Sequence, residues 1–244
     1  MTAHSHTGRR HGVARTLSKL GLASRTAAAG WVLDGRVAVN GRIVRDPEFP
    51  VLQASDQLAV DGCPITASER VYLLLNKPRG LVTTAADEQD RETVYRCFDG
   101  AGLPWLAPVG RLDKASEGLL LFSNDPAWAA RITDPVTGPA KTYRVQINAL
   151  PAPALLAGLV TGVEQAGEHL AATSARLLQA GEKNAWLEIV LTEGRNRHIR
   201  RLLEARGVAV LRLIRVAIGA LVLGDLPKGQ WRRLTATDLA QVGK

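Results

Sequence analysis

The sequence predicts an α+β protein whose larger part is a mainly antiparallel sheet, and two observations support this fold class. Strand-like apolar segments recur from Val71 onward without alternating regularly with helices, as they would in a doubly wound sheet. The run GRNRHIRR lacks the glycine spacing of Walker and Rossmann loops, so we expect no nucleotide cofactor. We divide the 244 residues into a disordered basic tail (1–12), a small domain (13–61), a linker (62–69) and a large domain (70–244).

The small domain is predicted to contain two helices followed by a β-hairpin. We expect a short helix around Arg15–Leu20 and a second helix from Ser24 to Leu33, with Ser24 as its N-cap. Asn40-Gly41 joins two short alternating segments, and this dipeptide favours the tight turn of a hairpin. Leu58 and Val60 supply apolar side chains that close the unit, which is long enough to fold by itself.

The large domain begins with the buried-strand pattern of VYLLLNKPRG. Further strands are predicted at Trp105–Val109, Leu119–Ser123, Lys141–Ile147, Ala172–Leu178, Ala185–Leu191 and Val210–Ile218. Helices are predicted at Arg91–Phe98, Pro126–Ile132, Pro153–Gly162 and Asn196–Ala205.

The balance of charge favours a polyanionic partner. The chain carries 31 Lys and Arg against 23 Asp and Glu, a formal net charge of +8. The cations concentrate in two stretches, eight from Arg9 to Arg45 and seven from Glu193 to Arg215. We expect nucleic acid rather than a membrane as the partner, because neither stretch has the Trp/Phe/Leu face of an interfacial helix.

The remaining composition is typical of a cytosolic protein. No apolar run approaches the roughly 18–20 residues that span a bilayer, and the opening MTAHSHTGRRHG does not resemble a secretory signal. Cys63 and Cys97 are too few for a disulfide framework or a four-ligand metal site. We therefore expect a cytoplasmic location, no metal and, as the simplest oligomeric state, a monomer.

The most informative motif is Gly110-Arg111-Leu112-Asp113, which lies just before the apolar segment Gly118 to Ser123. In an extended segment, residues two apart project from the same face, so Arg111 and Asp113 would enter one site together. A guanidinium and a carboxylate at this spacing also occur as an ordinary surface ion pair. The motif alone leaves both interpretations open.

Two later segments share the chain with this motif. In LTEGRNRHIRRLLEARG, the apolar residues of a helix leave Arg200 beside the core, where a partly buried guanidinium needs a carboxylate such as Asp113. The alternative is a surface pair between Arg200 and Glu204, four residues on. In KTYRV, Tyr143 lies in the middle of a strand, where a tyrosine is also a common core residue.

The segment ARTLSKLGLASRTAAAGWVLDGRVAVNGRIV resembles the S4 RNA-binding domain, through LGLASR and GRVAVNG together. The resemblance covers about fifty residues and implies a small RNA-binding domain of the αL type. It also implies contacts to the RNA backbone from five residues of this sequence: Arg15, Lys19, Ser24, Arg25 and Arg36. Phosphate contacts of this kind supply affinity without reading the base sequence.

Four segments follow one another in the order found in pseudouridine synthases: LLNKPRG, GRLDKASEGLLLFSND, KTYRV and EGRNRHIRR. The chain resembles in particular the branch that modifies ribosomal RNA and carries an S4-like domain, from Val13 to the C-terminal LRLIRVAIGALVLGDLPKGQWRRLT. His198 stands where that branch more often has glutamine, and we expect this difference to leave the chemistry unaltered. Ribosomal RNA, either free or within a ribosomal assembly intermediate, is the expected substrate, and RNA of the large subunit is favoured over that of the small subunit.

The resemblance implies the main roles at the site. Asp113 would be the nucleophile that attacks uridine, and Arg200 would pair with it and keep it ionised. Tyr143 would stack on the uracil and is the candidate for proton transfer. Arg111 would fill the gap left by the uridine that is flipped out of the RNA.

The resemblance implies further roles around that centre. Lys77, in the lysine–proline motif at the wall of the site, would buttress Tyr143 or meet a phosphate. Arg195 and Arg197 would contact RNA phosphates. Isomerisation of uridine requires no redox, metal or nucleotide cofactor, so none is expected.

Two other functions compete with this interpretation. A non-catalytic RNA-binding or ribosome-assembly factor would have lost the aspartate, the tyrosine or the late arginine, and all three are present. A hydrolase that releases free base would need a second carboxylate to activate water. Glu117 is close in sequence, but we expect it to lie beyond the turn as a surface or helix-capping acid.

Overall fold

The computed structural model describes residues 10–66, 69–85, 87 and 89–242. They form two compact units. The first contains the described residues up to Val71 together with 102–107 and 123–126, and the second contains the rest. Within the described ranges, no helix combines the length and apolar character needed to cross a membrane.

Two helices and a small sheet make up most of the first unit. Helices α1 (Val13–Lys19) and α2 (Arg25–Leu33) follow strand β1 (His11–Gly12). The Ser24 hydroxyl accepts a hydrogen bond from the Ala27 N–H at 3.0 Å, so Ser24 caps α2 as predicted. The five further strands are β2 (Val37–Val39), β3 (Arg42–Ile43), β4 (Pro50–Val51), β5 (Leu58–Val60) and β6 (Cys63–Pro64).

The predicted hairpin in this unit is confirmed. Asn40 and Gly41 both have left-handed backbone angles, with φ of 50° and 79°, as the tight turn between β2 and β3 requires. Leu58 is buried on β5, which pairs with β2, and packs into a core shared with both helices. Apolar burial from α1, α2 and the sheet therefore stabilises this unit.

Strand pairing extends slightly beyond the residues expected in the small domain. His11 and Gly12, which we placed in the tail, pair with β4. Cys63 and Pro64, which we placed in the linker, pair with β5. Backbone hydrogen bonding to an existing sheet orders these short segments although their composition gives little strand signal. Residues 1–9 of the predicted tail lie outside the described residues.

A nine-stranded sheet forms the centre of the second unit, with the order β13-β14-β10-β15-β9-β7-β17. In that order the strands are Ser174–Ala180, Ala185–Leu191, Lys141–Ile147, Val210–Ile218, Glu117–Ser123, Tyr72–Lys77 and Trp231–Arg233. Strand β8 (Ala107–Val109) pairs with β9, and β16 (Leu221–Val222) pairs with β15. Antiparallel pairs join β13 to β14, β14 to β10, β10 to β15, β15 to β16 and β7 to β17, whereas β15 and β9 are parallel. The sheet and its few helices confirm the predicted α+β class.

Most of the remaining elements agree with the sequence patterns. The helices are α3 (Pro126–Thr133), α4 (Pro153–Thr161), α5 (His198–Glu204) and α6 (Ala236–Val242). Residues Val94–Phe98 form a 3-10 helix within the region where we expected a longer helix. A short hairpin of β11 (Val163–Gln165) and β12 (Glu168–Leu170), strand β17 and helix α6 have too few periodic residues to be predicted.

The register of the sheet assigns side chains to its two faces. Tyr143 on β10 lies opposite Arg215 on β15, and Arg144 lies opposite Ile214. Residues paired across strands share a face, so Tyr143 and Arg215 project from one face and Arg144 from the other. Gly118 on β9 pairs with Arg215 in parallel register and has φ of 102°. A Cβ at this glycine would collide with the main-chain oxygen of Arg215.

Candidate active site

A cavity of about 580 Å³ lies on the Tyr143 face of the sheet, within the second unit. It brings together six of the residues that the sequence singled out: Arg111, Asp113, Tyr143, Arg195, Arg197 and Arg200. These residues come from three separate parts of the chain, the loop before β9, strand β10 and the start of α5. The fold thus assembles the predicted carboxylate, aromatic ring and guanidinium groups into one concave site.

The loop that carries Asp113 is held by hydrogen bonds on both sides of the carboxylate. The Thr83 hydroxyl donates to the Leu112 carbonyl at 2.7 Å, and the Gly80 N–H donates to the Lys114 carbonyl at 2.8 Å. The turn closes with a bond of 2.9 Å from the Ser116 N–H to the Asp113 carbonyl. Fixing the main chain in this way restricts the directions that the Asp113 side chain can take.

Lys77 is the internal support of this loop. Its side chain is completely buried, and its ammonium group donates to the carbonyls of Pro78 (3.1 Å), Asp113 (3.2 Å) and Ser116 (2.9 Å). Burial lowers the pKa of Lys77 to about 8, although the nearby carboxylates of Asp113 and Glu117 oppose this shift. The expected contact of Lys77 with an RNA phosphate is wrong, because the ammonium group does not reach the surface.

Tyr143 presents its ring to the cavity from the middle of β10. Its side chain is 9% exposed, and the main chain is paired on both sides, with Ile189 on β14 and Arg215 on β15. A rigid central strand therefore sets the position of the ring. An aromatic ring in this setting can offer a face to a planar base and a hydroxyl to its polar edge.

Arg200 reaches towards the Asp113 loop from helix α5. Its two terminal nitrogens donate to the Ala115 carbonyl at 3.3 Å and the Val210 carbonyl at 3.4 Å. Among the described residues, the guanidinium makes no ion pair within 4.0 Å with Asp113 or with Glu204, so neither expected pairing is formed directly. Burial lowers the pKa of Arg200, Arg197 adds to that effect, and Asp113 opposes it.

The start of α5 places two other candidate arginines at the cavity. Arg197 is exposed and has a left-handed backbone with φ of 50°, which ends the preceding loop and starts the helix. Arg195 is half-buried and pairs with Glu193 at 3.1 Å and Glu168 at 3.7 Å. The carboxylates partly neutralise Arg195, so Arg197 is the freer of the two for an anionic partner.

His198, next to these arginines, is 3% exposed and lines the cavity. Burial lowers its pKa, and Arg195 lowers it further, although Glu193 opposes the shift. The imidazole is therefore neutral near pH 7. Our expectation that a histidine at this position leaves the chemistry unaltered stays a prediction.

Glu117 lies elsewhere than the sequence suggested. It is 2% exposed on β9 and accepts hydrogen bonds from Arg212 at 3.0 and 3.1 Å and from Lys228 at 2.6 Å. Its register with Ile214 places it on the sheet face opposite Tyr143. The expectation of a surface or helix-capping acid is wrong, because Glu117 begins a strand and is buried beneath its cationic partners.

In the first unit, several residues predicted to touch RNA also have structural contacts. Ser24 caps α2, Arg25 pairs with Glu48 at 3.2 Å, and Arg36 pairs with Asp61 at 2.6 Å. The Lys19 ammonium lies 2.9 Å from the His11 ring, and Arg15 is exposed on α1. Arg15 is therefore the best placed of the five for a phosphate, and the others would have to exchange or share their present partners.

Cations outnumber carboxylates along the cavity wall. The six cationic side chains are Arg111, Lys141, Arg195, Arg197, Arg200 and Arg215, and the three carboxylates are Asp113, Asp134 and Glu193. Such a wall attracts an anionic substrate. Sequence reasoning missed Lys141 and Arg215. Both alternate with apolar residues on strands, and their place on the Tyr143 face was available only from strand register.

Similarity to known proteins indicates the family of the chain. Residues 71–205 match the family model described as RNA pseudouridylate synthase, and residues 13–58 match the S4 domain. An uncharacterized RNA pseudouridine synthase of Aquifex aeolicus is 36% identical, over 93% of this chain and 92% of the relative. Ribosomal large subunit pseudouridine synthase B of Bacillus subtilis is 34% identical, over 93% of both chains.

A solved structure shows the same architecture. The crystal structure of a pseudouridylate synthase covers 96% of this chain and 100% of its own, with 29% identity and a TM-score of 0.65. The fold and the basic cavity define an RNA-modifying enzyme with an S4 domain. The chain belongs to the RNA pseudouridine synthase family, and its activity is the isomerisation of uridine in RNA to pseudouridine.

Proposed function

We propose that the chain isomerises a specific uridine of ribosomal RNA in the cytoplasm, with Asp113 as the nucleophile and the uridine flipped into the cavity. The observation that carries this proposal is the meeting of Asp113, Tyr143, Arg111 and Arg200 around one basic cavity. The support for ribosomal RNA of the large subunit is the 34% identity to the Bacillus subtilis enzyme over nearly the whole chain.

The proposed reaction exchanges one bond to the sugar for another. The bond between C1′ and N1 of the base breaks with the help of the Asp113 carboxylate, the base turns, and C1′ bonds to C5 instead. A proton leaves C5 and one is added at N1, so the atoms of substrate and product are the same. Tyr143 moves a proton during this exchange and holds the base by stacking.

Arginine side chains would supply the electrostatic part of the mechanism. Arg200 is held by the Ala115 carbonyl, two residues after Asp113, and would place a positive charge beside the loop that carries the nucleophile. Arg111 is exposed at the cavity and would take the space of the flipped uridine within the RNA helix. Unstacking costs a few kcal/mol, and these new contacts would offset it.

Pseudouridine mapping of ribosomal RNA by carbodiimide-based sequencing tests this proposal in cells. We expect one uridine signal, or a few neighbouring ones, to vanish with the gene. It should return with wild type and with Asp99→Asn, which removes an exposed carboxylate outside the cavity. Asp113→Asn should not restore it, although the purified variant should still bind RNA.

Three results would contradict the proposal. Substantial activity in Asp113→Asn would remove Asp113 from its assigned role. An unchanged map would exclude ribosomal RNA as the substrate and favour another RNA. Release of free uracil during incubation with RNA would indicate hydrolysis instead, a reaction for which Glu117 is turned to the wrong face.

A further inference from the structure

Arg215 contributes a buried, unsatisfied donor to the cavity. Its side chain is 5% exposed, and its Nε donates to the Leu119 carbonyl at 2.8 Å, which fixes the plane of the guanidinium. One terminal nitrogen, Nη2, is buried and has no hydrogen-bond partner among the described residues. A buried charged donor without a partner is destabilising and requires an explanation, and an anion bound in the cavity would supply the missing acceptor.

Lys141 brings a second cation to the same part of the cavity. It lies two residues before Tyr143 on β10 and lines the cavity with Arg215. Burial and the charge of Arg215 lower the pKa of Lys141, and Asp134 opposes this. Asp134 itself accepts hydrogen bonds from the N–H groups of Val136 (2.9 Å) and Thr137 (2.7 Å).

The charges near Arg215 and Lys141 are only partly compensated. Within the described residues, neither cation makes an ion pair within 4.0 Å, in contrast to Arg195, another arginine of the cavity wall. Two adjacent cations repel each other, and a neutral base would leave that repulsion in place. A phosphate carries a full charge and several acceptor oxygens, so it can satisfy both groups at once.

We propose that Arg215 and Lys141 form a subsite for a phosphate that flanks the target uridine. This inference rests on the proposed function, because it assumes that a uridine of RNA enters the cavity. The subsite would hold the backbone beside the flipped nucleotide, while Asp113 and Tyr143 act on the nucleoside. Arg215 and Lys141 are accordingly positioning residues and not catalytic ones.

Neutralising single phosphates tests the subsite. The probe is an RNA oligonucleotide that spans the mapped uridine, with a 2′-deoxynucleotide on the 5′ side of each linkage to be modified, which keeps that linkage stable. Further versions carry one uncharged methylphosphonate, placed on either side of the target or several nucleotides away. Binding is measured with Asp113→Asn, alone and combined with Lys141→Gln or with Arg144→Gln. Arg144 is the matched control, since it lies on the same strand but faces away from the cavity.

We expect one flanking methylphosphonate to weaken binding by about tenfold in Asp113→Asn, as loss of a charge-assisted hydrogen bond predicts. The same penalty should persist with Arg144→Gln and shrink to less than about threefold with Lys141→Gln. A distant methylphosphonate should cost the same in all three proteins. Arg215→Lys should also reduce the flanking penalty where thermal unfolding shows that this variant folds.

The subsite would be overturned if a flanking methylphosphonate weakened binding equally with and without Lys141. It would also be overturned if a methylphosphonate at neither flanking position weakened binding. Activity of the wild-type enzyme on the unmodified oligonucleotide separates this failure from a failure of the proposed function. If wild type isomerises the uridine but the penalties stay equal, only the subsite is wrong. If wild type does not isomerise it, the proposed function fails and the subsite fails with it.

Discussion

Replacement of Lys77 by methionine should reveal a buried ammonium group through its dependence on pH. Methionine has a similar volume and no charge, so Lys77→Met removes the titrating group with little change in packing. It also removes three hydrogen bonds to the carbonyls of Pro78, Asp113 and Ser116. At any one pH, the difference in the free energy of unfolding between wild type and Lys77→Met therefore combines the lost hydrogen bonds with the removal of a buried charge. The change of this difference with pH depends only on the titration of Lys77.

The sign and size of that change follow from the pKa of Lys77. Its folded value is about 8, below the ordinary 10.5 of the unfolded chain. Between these values the unfolded chain binds more protons than the folded one, so the free energy of unfolding rises with pH. At about 1.4 kcal/mol per pH unit, the advantage of wild type over Lys77→Met should grow by about 2.5 kcal/mol from pH 7 to pH 10.

Urea unfolding of both proteins at pH 7, 8, 9 and 10 measures this difference. Other groups titrate alike in the two proteins and cancel. Lys183→Met, which removes an exposed lysine from the turn before β14, is the matched control. A change of less than about 1 kcal/mol for Lys77→Met would refute the reasoning, because it would mean that the fold does not hold a desolvated ammonium group.

Three further results are expected. Gly118→Ala should lower the free energy of unfolding by more than about 2 kcal/mol, since its Cβ would meet the main-chain oxygen of Arg215 at a left-handed φ. The control Gly30→Ala, which has open space around the new methyl group, should be neutral or slightly stabilising. Equal urea midpoints for Gly118→Ala and wild type would contradict the clash. Glu117→Gln should cost about 2 kcal/mol at pH 7, because a neutral amide replaces a buried carboxylate that accepts charge-assisted hydrogen bonds from Arg212 and Lys228. Burial opposes the ionisation of Glu117, but its cationic partners outweigh burial and lower its pKa. The loss of stability in Glu117→Gln relative to wild type should therefore shrink as pH falls below about 4.5, and a loss that is independent of pH would refute this reasoning. Deletion of residues 1–61 should weaken RNA binding and reduce the slope of log Kd against log salt, and equal slopes would show that the segment makes no phosphate contacts.

The agreement between sequence and structure is best where a local pattern suffices. Strands Lys141–Ile147, Ala185–Leu191 and Val210–Ile218 were predicted with their observed bounds, because each is long and rich in β-branched or apolar residues. Ser24 and the Asn40-Gly41 turn were identified from cap and turn chemistry alone. The short hairpin Val163–Leu170 was not predicted, because its six paired residues are too few to show a periodic pattern.

The candidate site was predicted as a set of residues, through motifs whose order along the chain is specific to one family. The contacts within that set were not. Arg200 was expected to meet the carboxylate of Asp113 and instead holds the main chain two residues later. Lys77 was expected at the wall of the site, where it would buttress Tyr143 or meet a phosphate, and it is completely buried with its ammonium group on carbonyls of the Asp113 loop. A motif states which side chains occur together, but burial depends on every segment that packs around them.

Composition, periodicity and motif order were sufficient to predict the fold class, the positive charge that favours RNA and six of the residues that line the cavity. The face that each strand residue occupies came from the tertiary structure, and with it the separation of Glu117 from the Tyr143 face and the placing of Arg215 and Lys141 in one cavity. A shift of one residue in strand register reverses every side chain, and register is set by long-range pairing that no local pattern contains.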